Sequence, residues 1–308
     1  MGPDEFHDGY PGRPGEGIDN NTYVNIMTEW SLMRALDAVE ILGRTSRSIT
    51  EDLEVTESEL AAWDKMSRRL RLTFLPNGLL AQFEGFDTLK ELDWADYRSR
   101  YLDIGRLDLI LEAEGDSTVH YKASKQADLL MLLYVFSAEE LTDLIARLGY
   151  HFDPSSIPSM IDYYLSRTTH GSTLSRIAHT WVLVRGNRSQ SWDMLRSALA
   201  SDLSDSQHGR TREGIHLAAM AGAIDILERC YTGLDFRDDV VWLHPQLPIE
   251  LSELAFTIYY RGHRLQIQCT HSSVTVSSET KDAAPIKLSI DGSSHIVLPG
   301  SSVTVSAQ

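Results

Sequence analysis

Leu254–Tyr260 reads Leu-Ala-Phe-Thr-Ile-Tyr-Tyr, and after the turn Arg261-Gly262-His263 the chain continues Arg264-Leu-Gln-Ile-Gln-Cys-Thr270. Apolar and polar residues alternate with a period of two, the spacing that turns one face of a strand toward a core. A short Gly-containing turn between two such runs reads as a hairpin. Val274-Thr-Val276, Ile286-Lys-Leu-Ser-Ile290, His295-Ile-Val-Leu298 and Val303-Thr-Val305 repeat the pattern, with turns at Asp291-Gly292-Ser293 and Pro299-Gly300. Residues 241–308 are therefore expected to form a small antiparallel β-sandwich.

Before Asp239 the period is that of helices. Thr22–Leu42 places Val24, Met27, Trp30, Leu32, Ala35, Leu36, Val39 and Leu42 mainly three or four residues apart, behind Asn20 or Asn21 as cap and ahead of Gly43 as stop. Glu57–Leu70, Pro154–Leu165, Leu174–Val184, Ser191–Leu203 and His216–Cys230 follow the same rule. Lys125–Phe136 is apolar on most sides and reads as a buried helix. Ser137 opens Ser-Ala-Glu-Glu, a capping-box pattern for a helix toward Leu148. That makes about eight helical segments in residues 1–240, and a mainly α fold class with a β-domain behind it. There is no internal repeat.

The chain has 308 residues, 42% of them apolar, which suffices for a packed core. Its 28 Lys and Arg against 44 Asp and Glu give a net charge of −16. That balance argues against nucleic acid and against an anionic membrane surface as partners. It leaves room for a local anion pocket, because one phosphate needs only a few donors. Cys230 and Cys269 have no metal-binding spacing and read as buried free thiols. No signal-peptide pattern opens the chain. Leu129–Phe136, the longest apolar run, is too short to cross a bilayer. A cytoplasmic protein without a metal is expected.

Residues 1–20 are rich in Gly, Pro and Asp and read as a loop. Within it, Gly2-Pro3-Asp4-Glu5 presents the Glu5 carboxyl on a stiff backbone, as protonation of a leaving oxygen requires. Lys125 and Gln126, in Lys125-Gln-Ala-Asp128, can donate several hydrogen bonds to sugar hydroxyls. Arg167-Thr-Thr-His-Gly-Ser-Thr-Leu-Ser175 sets Gly171, Ser172 and Thr173 just before a helix, whose free amides suit an anion. His216, in Glu213-Gly-Ile-His-Leu-Ala-Ala-Met-Ala-Gly222, stands at another helix start. Taken singly, these residues read equally as a solvated loop carboxylate, a charged helix end, a Ser/Thr cap and a satisfied histidine.

Together, in this order, the four segments resemble glycoside hydrolase family 65, the maltose, kojibiose and trehalose phosphorylases. The resemblance implies that residues 1–240 are the C-terminal part of an (α/α)6 barrel, hence a partial barrel. It makes Glu5 the general acid, gives Lys125 and Gln126 the glucosyl unit, and gives Gly171, Ser172, Thr173 and His216 the phosphate. Ala218 replaces a glycine of the family pattern. Arg210 and Arg212 stand where Thr and Pro are more usual, and read as solvent-facing. The family's N-terminal β-sandwich, its early barrel helices and its Trp-Asp pair have no counterpart, so the chain looks like part of a longer enzyme.

The reaction so implied is inverting phosphorolysis of an α-linked glucosyl disaccharide to β-glucose 1-phosphate and a free sugar. Inorganic phosphate is the co-substrate, and no cofactor is needed. The partners implied are that disaccharide and phosphate, with a homodimer or a separate N-terminal half as protein partner. A trehalose-type hydrolase is the alternative, with Glu213 as its base, but hydrolytic relatives match the His-Gly-Ser and Gly-Ile-His segments poorly. An inactive fragment or a carbohydrate-binding module is a further alternative. For the module, Trp63, Trp94, Trp181 and Trp192 would be stacking platforms, although their helical spacing favours packing.

Overall fold

The computed structural model describes residues 2–184, 187–203, 214–237 and 239–306. Its contacts group the chain into two units, residues 1–182 and residues 183–308.

In the first unit α1 (Thr22–Thr45) begins where the Asn21 side chain accepts the Val24 amide at 2.9 Å. Asn21 is thus the cap. The helix runs through Gly43, the expected stop, and ends at Ser46. A glycine inside a helix costs only about 1 kcal/mol against alanine, too little to end it. Next come α2 (Arg47–Asp52), α3 (Glu57–Ser67), α4 (Trp94–Arg100) and α5 (Leu107–Ala113). The capping box of α3 joins Thr56 and Glu59. Sequence periodicity misses α2, α4 and α5, which have six or seven residues each and never complete two turns.

The expected helix Lys125–Phe136 is corrected to α6 (Met131–Val135). Ser124 forms a parallel β-bridge with Thr168 instead, and the backbone of residues 124 and 125 pairs with residues 167–171. Ser124 N donates to Arg167 O at 2.8 Å, Thr169 N to Ser124 O at 2.8 Å, and Gly171 N to Lys125 O at 3.0 Å. The Ser137/Glu140 capping box starts α7 (Ala138–Arg147) as the sequence predicts. Then follow α8 (Ile157–Leu165) and α9 (Thr173–Leu183). Phe6 packs in a buried cluster with Leu92, Tyr97, Leu107, Leu111 and Ala123, which anchors the N-terminal loop to α4 and α5.

In the second unit α10 (Arg188–Leu199) packs on α11 (Leu217–Asp225). Leu195, Ala198, Ala219 and Ala223 are buried there. A π-helical turn, Ile226–Cys230, ends the helical part. The strands are β1 (Asp235–Arg237), β2 (Val240–Leu243), β3 (Glu253–Tyr260), β4 (His263–Thr270), β5 (Ser273–Ser278), β6 (Ile286–Ile290), β7 (Ser293–Val297) and β8 (Ser302–Ser306). They form two four-stranded sheets, ordered β1-β2-β6-β7 and β3-β4-β5-β8. The second is antiparallel throughout.

The first sheet corrects the all-antiparallel expectation, since β2 and β6 run parallel. The chain between them leaves to build β3, β4 and β5 and then returns, and a long crossover of that kind permits parallel pairing. Of the three expected turns, two have positive φ at consecutive positions, Arg261 and Gly262 in one and Asp291 and Gly292 in the other, and the third has it at Gly300. Positive φ at both central positions is the hairpin geometry that matches strand twist. Along β4, Leu265, Ile267 and Cys269 alternate inward as their period requires.

Cys269 is buried, and burial pushes its thiol up to about 12; Cys230 is only half-buried, against expectation. Its place in the last helical turn leaves one side open. Trp63, Trp94, Trp181 and Trp192 are all half-buried. Among the described residues no helix is long and apolar enough to cross a membrane.

Candidate active site

The acid-bearing loop is held by a buried polar network. Asp4 is 2% exposed and Asp128 is 4% exposed. Asp4 N donates to Asp128 Oδ2 at 3.0 Å, and Asn21 Nδ2 donates to Asp128 Oδ1 at 3.0 Å. Asn21, the cap of α1, therefore ties that helix to the loop through one carboxylate. Asp4 in turn accepts the Lys125 amide at Oδ1, 2.8 Å, and approaches His7 Nδ1 with Oδ2 at 3.1 Å. The other His7 nitrogen lies 3.0 Å from the Tyr121 carbonyl oxygen.

Burial pushes the Asp128 carboxyl up to about 7, aided by the neighbouring Asp4 charge and opposed by the Asp4 amide and Asn21. Gly2 is required by space: a Cβ there would lie 2.1 Å from Asp128 Oδ2 and 2.4 Å from Asn21 Nδ2.

On this base Glu5 projects outward, with its side chain 55% exposed, and pairs with Lys125 Nζ at 2.5 Å. Gln126 Nε2 donates to the Pro3 carbonyl oxygen, so this side chain secures the loop itself. Glu5, Lys125 and Gln126 are therefore brought together. Arg106, which forks onto Asp108 at 2.7 and 2.9 Å, also feels the Glu5 charge.

Gly171 joins the same surface through its bond to Lys125. A Cβ on Gly171 would sit 1.9 Å from Gly105 O, so only glycine lets these two segments touch. Ser172 and Thr173 follow at the start of α9, and Ser175 N donates to Ser172 O at 3.2 Å. Behind the loop His170, at φ 55°, meets Ser175 Oγ at 3.0 Å and stacks edge-on against His179, the ring centroids 4.7 Å apart. Burial lowers His170 to about 3 and His179 to about 4, which keeps both rings neutral. Two neutral rings can pack in contact where two imidazolium ions would repel.

His216 lies in the second unit, at the N-cap of α11, where Asp202 takes both its backbone N–H and its ring Nδ1. Glu213, Arg210 and Arg212 lie outside the described residues. Sequence reading missed Asp4, His7, Asn21, Asp128 and Asp202. The available signal was that two of these aspartates belong to the same short motifs as Glu5 and Lys125.

The sequence model of the glycosyl hydrolase family 65 central catalytic domain matches residues 1–225, and that of the family's C-terminal domain matches residues 234–297. The chain is 52% identical over 293 residues to an uncharacterized glycosyl hydrolase of Mycobacterium tuberculosis, a match covering 95% of this chain and 22% of that protein. It is 35% identical over 268 residues to the trehalose 6-phosphate phosphorylase of Lactococcus lactis, covering 87% of this chain and 33% of that one. The kojibiose phosphorylase of Halothermothrix orenii is 27% identical over 294 residues, which are 93% of this chain and 34% of the relative. The chain thus spans between 22% and 34% of the length of these relatives. A solved structure, provisionally named a kojibiose phosphorylase from human microbiome, shares the fold with a TM-score of 0.79 at 21% identity, over 100% of this chain and 41% of that one.

Proposed function

Because this chain belongs to glycosyl hydrolase family 65, we propose that it carries the acid and phosphate-binding part of an enzyme that phosphorolyses an α-glucosidic disaccharide with inversion. Glu5, protonated, donates to the glycosidic oxygen as the bond from that oxygen to the anomeric carbon breaks. A phosphate oxygen attacks the anomeric carbon from the opposite face, so the proton leaves on the released sugar and the glucosyl unit leaves as β-glucose 1-phosphate. Phosphate replaces both the water and the general base of an inverting hydrolase, so one catalytic carboxylate suffices.

The observation that carries this reading is the knitting of three segments into one surface by Asp4, Lys125 and Gly171. Lys125 is placed to exchange its ion pair with Glu5 for sugar hydroxyls when substrate arrives, which frees Glu5 to carry a proton. Gln126 completes the grip on the glucosyl unit. The Gly171 amide already serves Lys125, so its part is close approach, while Ser172 and Thr173 supply donors to phosphate and His216 adds a further contact. The relatives with named activities are phosphorylases, which supports this reading over the hydrolase.

The helical part is proposed as a portion of an (α/α)6 barrel, with residues 241–308 as the appended β-domain. The enzyme is proposed to act in the cytoplasm, as a homodimer or with a separate N-terminal half.

The test is glucose 1-phosphate release from trehalose, trehalose 6-phosphate, kojibiose, nigerose and maltose. The chain is assayed alone and joined to the preceding part of a family 65 catalytic domain. Release that needs both phosphate and Glu5 is the expected result. Release of free glucose without phosphate would favour the hydrolase. Sugar binding that survives Glu5→Gln, with no turnover and no phosphate dependence, would favour the binding module.

A further inference from the structure

Asp202 stands in the turn after α10, fixed by Leu203 N donating to Ala200 O at 3.1 Å. Its side chain is only 11% exposed, and that of His216 is 26% exposed. Both carboxylate oxygens serve one residue: Oδ1 lies 2.6 Å from His216 Nδ1, and Oδ2 accepts the His216 backbone N–H at 3.0 Å. The ring therefore cannot turn about its bonds without breaking a charge-assisted hydrogen bond. A carboxylate at Nδ1 requires a hydrogen there, so the lone pair of a neutral ring is directed to Nε2. The two hydrogen bonds from His216 hold the Asp202 carboxyl below its ordinary range.

We propose that Asp202 is the positioning residue for His216: it fixes the ring with its hydrogen on Nδ1 and so directs Nε2 to inorganic phosphate. The inference rests on the reading of His216 as a phosphate contact. Asp202 also accepts the backbone N–H of His216, the residue that precedes α11, so the test reads the ring itself.

Nitrogen-15 NMR of the histidine rings in the full 308-residue chain supplies that reading, at neutral pH, with and without inorganic phosphate. In the wild type the His216 ring shows one fixed state with its hydrogen held on Nδ1, and its Nε2 signal moves on phosphate addition. In Asp202→Asn, which can still accept the His216 backbone N–H, the ring samples both tautomers and phosphate affinity falls about 10- to 100-fold, by analogy with the partners that orient metal-bound histidines. Asp202→Glu, which keeps the charge, retains the wild-type ring pattern. Should Asp202→Asn fail to fold, Asp202→Ser, with a hydroxyl left for the His216 amide, makes the same comparison.

An unchanged His216 ring in the folded neutral variant overturns the proposal. A wild-type ring that ignores phosphate while still responding to Asp202→Asn overturns instead the phosphate reading of His216, so the two failures are distinct.

Discussion

Asp128→Asn perturbs the group on which the acid-bearing loop rests. The two Asp128 oxygens receive the Asp4 amide and Asn21 Nδ2, each at 3.0 Å. Asparagine preserves shape and keeps one carbonyl oxygen, so one of those buried donors must face an NH2 group. A donor left unsatisfied in this way costs about 1–3 kcal/mol. Protonated aspartic acid avoids that cost, since a hydroxyl oxygen can still accept.

The pH dependence gives a sharper signature. Burial raises Asp128 to about 7, against roughly 3.9 for an ordinary aspartate. The native state then keeps a proton that the unfolded chain releases, so the contribution of Asp128 is greatest at low pH and falls as pH rises from about 4 to about 7. At about 1.4 kcal/mol per pH unit the full swing is roughly 4 kcal/mol at most. Asparagine does not titrate, so the deficit of the variant is largest near pH 4 to 5 and shrinks, or reverses, by about pH 8. Urea unfolding followed by tryptophan fluorescence, at a series of pH values, measures it. A deficit that stays constant or grows with pH would refute the reasoning.

Other perturbations test separate links. Glu5→Gln is expected to lower kcat by about 10²–10⁴-fold, the usual contribution of a general acid, with little change in KM for phosphate; initial rates at varied phosphate decide it. Gly171→Ala, whose new Cβ would meet Gly105 O, is expected to destabilise by about 1–3 kcal/mol in thermal melts and to raise the KM for phosphate. Arg147→Met removes the partner 3.3 Å from buried Glu29, whose carboxyl burial raises to about 7 despite that partner. Breaking such a pair costs about 3–5 kcal/mol where the carboxylate is ionised. The loss is expected to be larger at about pH 8 than at about pH 5, where Glu29 takes up a proton instead, and unfolding at the two pH values checks it.

Long periodic elements were legible because their faces repeat. The cap at Asn21, the Ser137 capping box and the Arg261-Gly262 hairpin turn all follow from local chemistry. The short helices α4 and α5 were not legible, because seven residues carry too little period. The Lys125 region misled for a different reason: apolar composition suggests a buried helix, but tertiary pairing with residues 167–171 takes the backbone bonds that a helix would use. The same competition hid the parallel β2/β6 pair, whose partners lie far apart in sequence.

For the site, Glu5, Lys125, Gln126, Gly171, Ser172, Thr173 and His216 were named from their motifs, and the structure adds what supports them. In sequence Asp4 reads as part of a loop, Asn21 as a candidate helix cap and Asp128 as part of a helix. Only folding reveals that they share one buried network. Asp202 was illegible because it stands fourteen residues from its partner, with no pattern linking the two.

Proton NMR of the products formed from the reactive disaccharide in phosphate buffer is the most direct test of the central claim, that Glu5 protonates the leaving sugar while phosphate attacks from the opposite face. The first product observed is predicted to be β-glucose 1-phosphate, absent when phosphate is omitted and lost in Glu5→Gln. Formation of α-glucose 1-phosphate, or of free glucose at a rate indifferent to phosphate, would contradict the account.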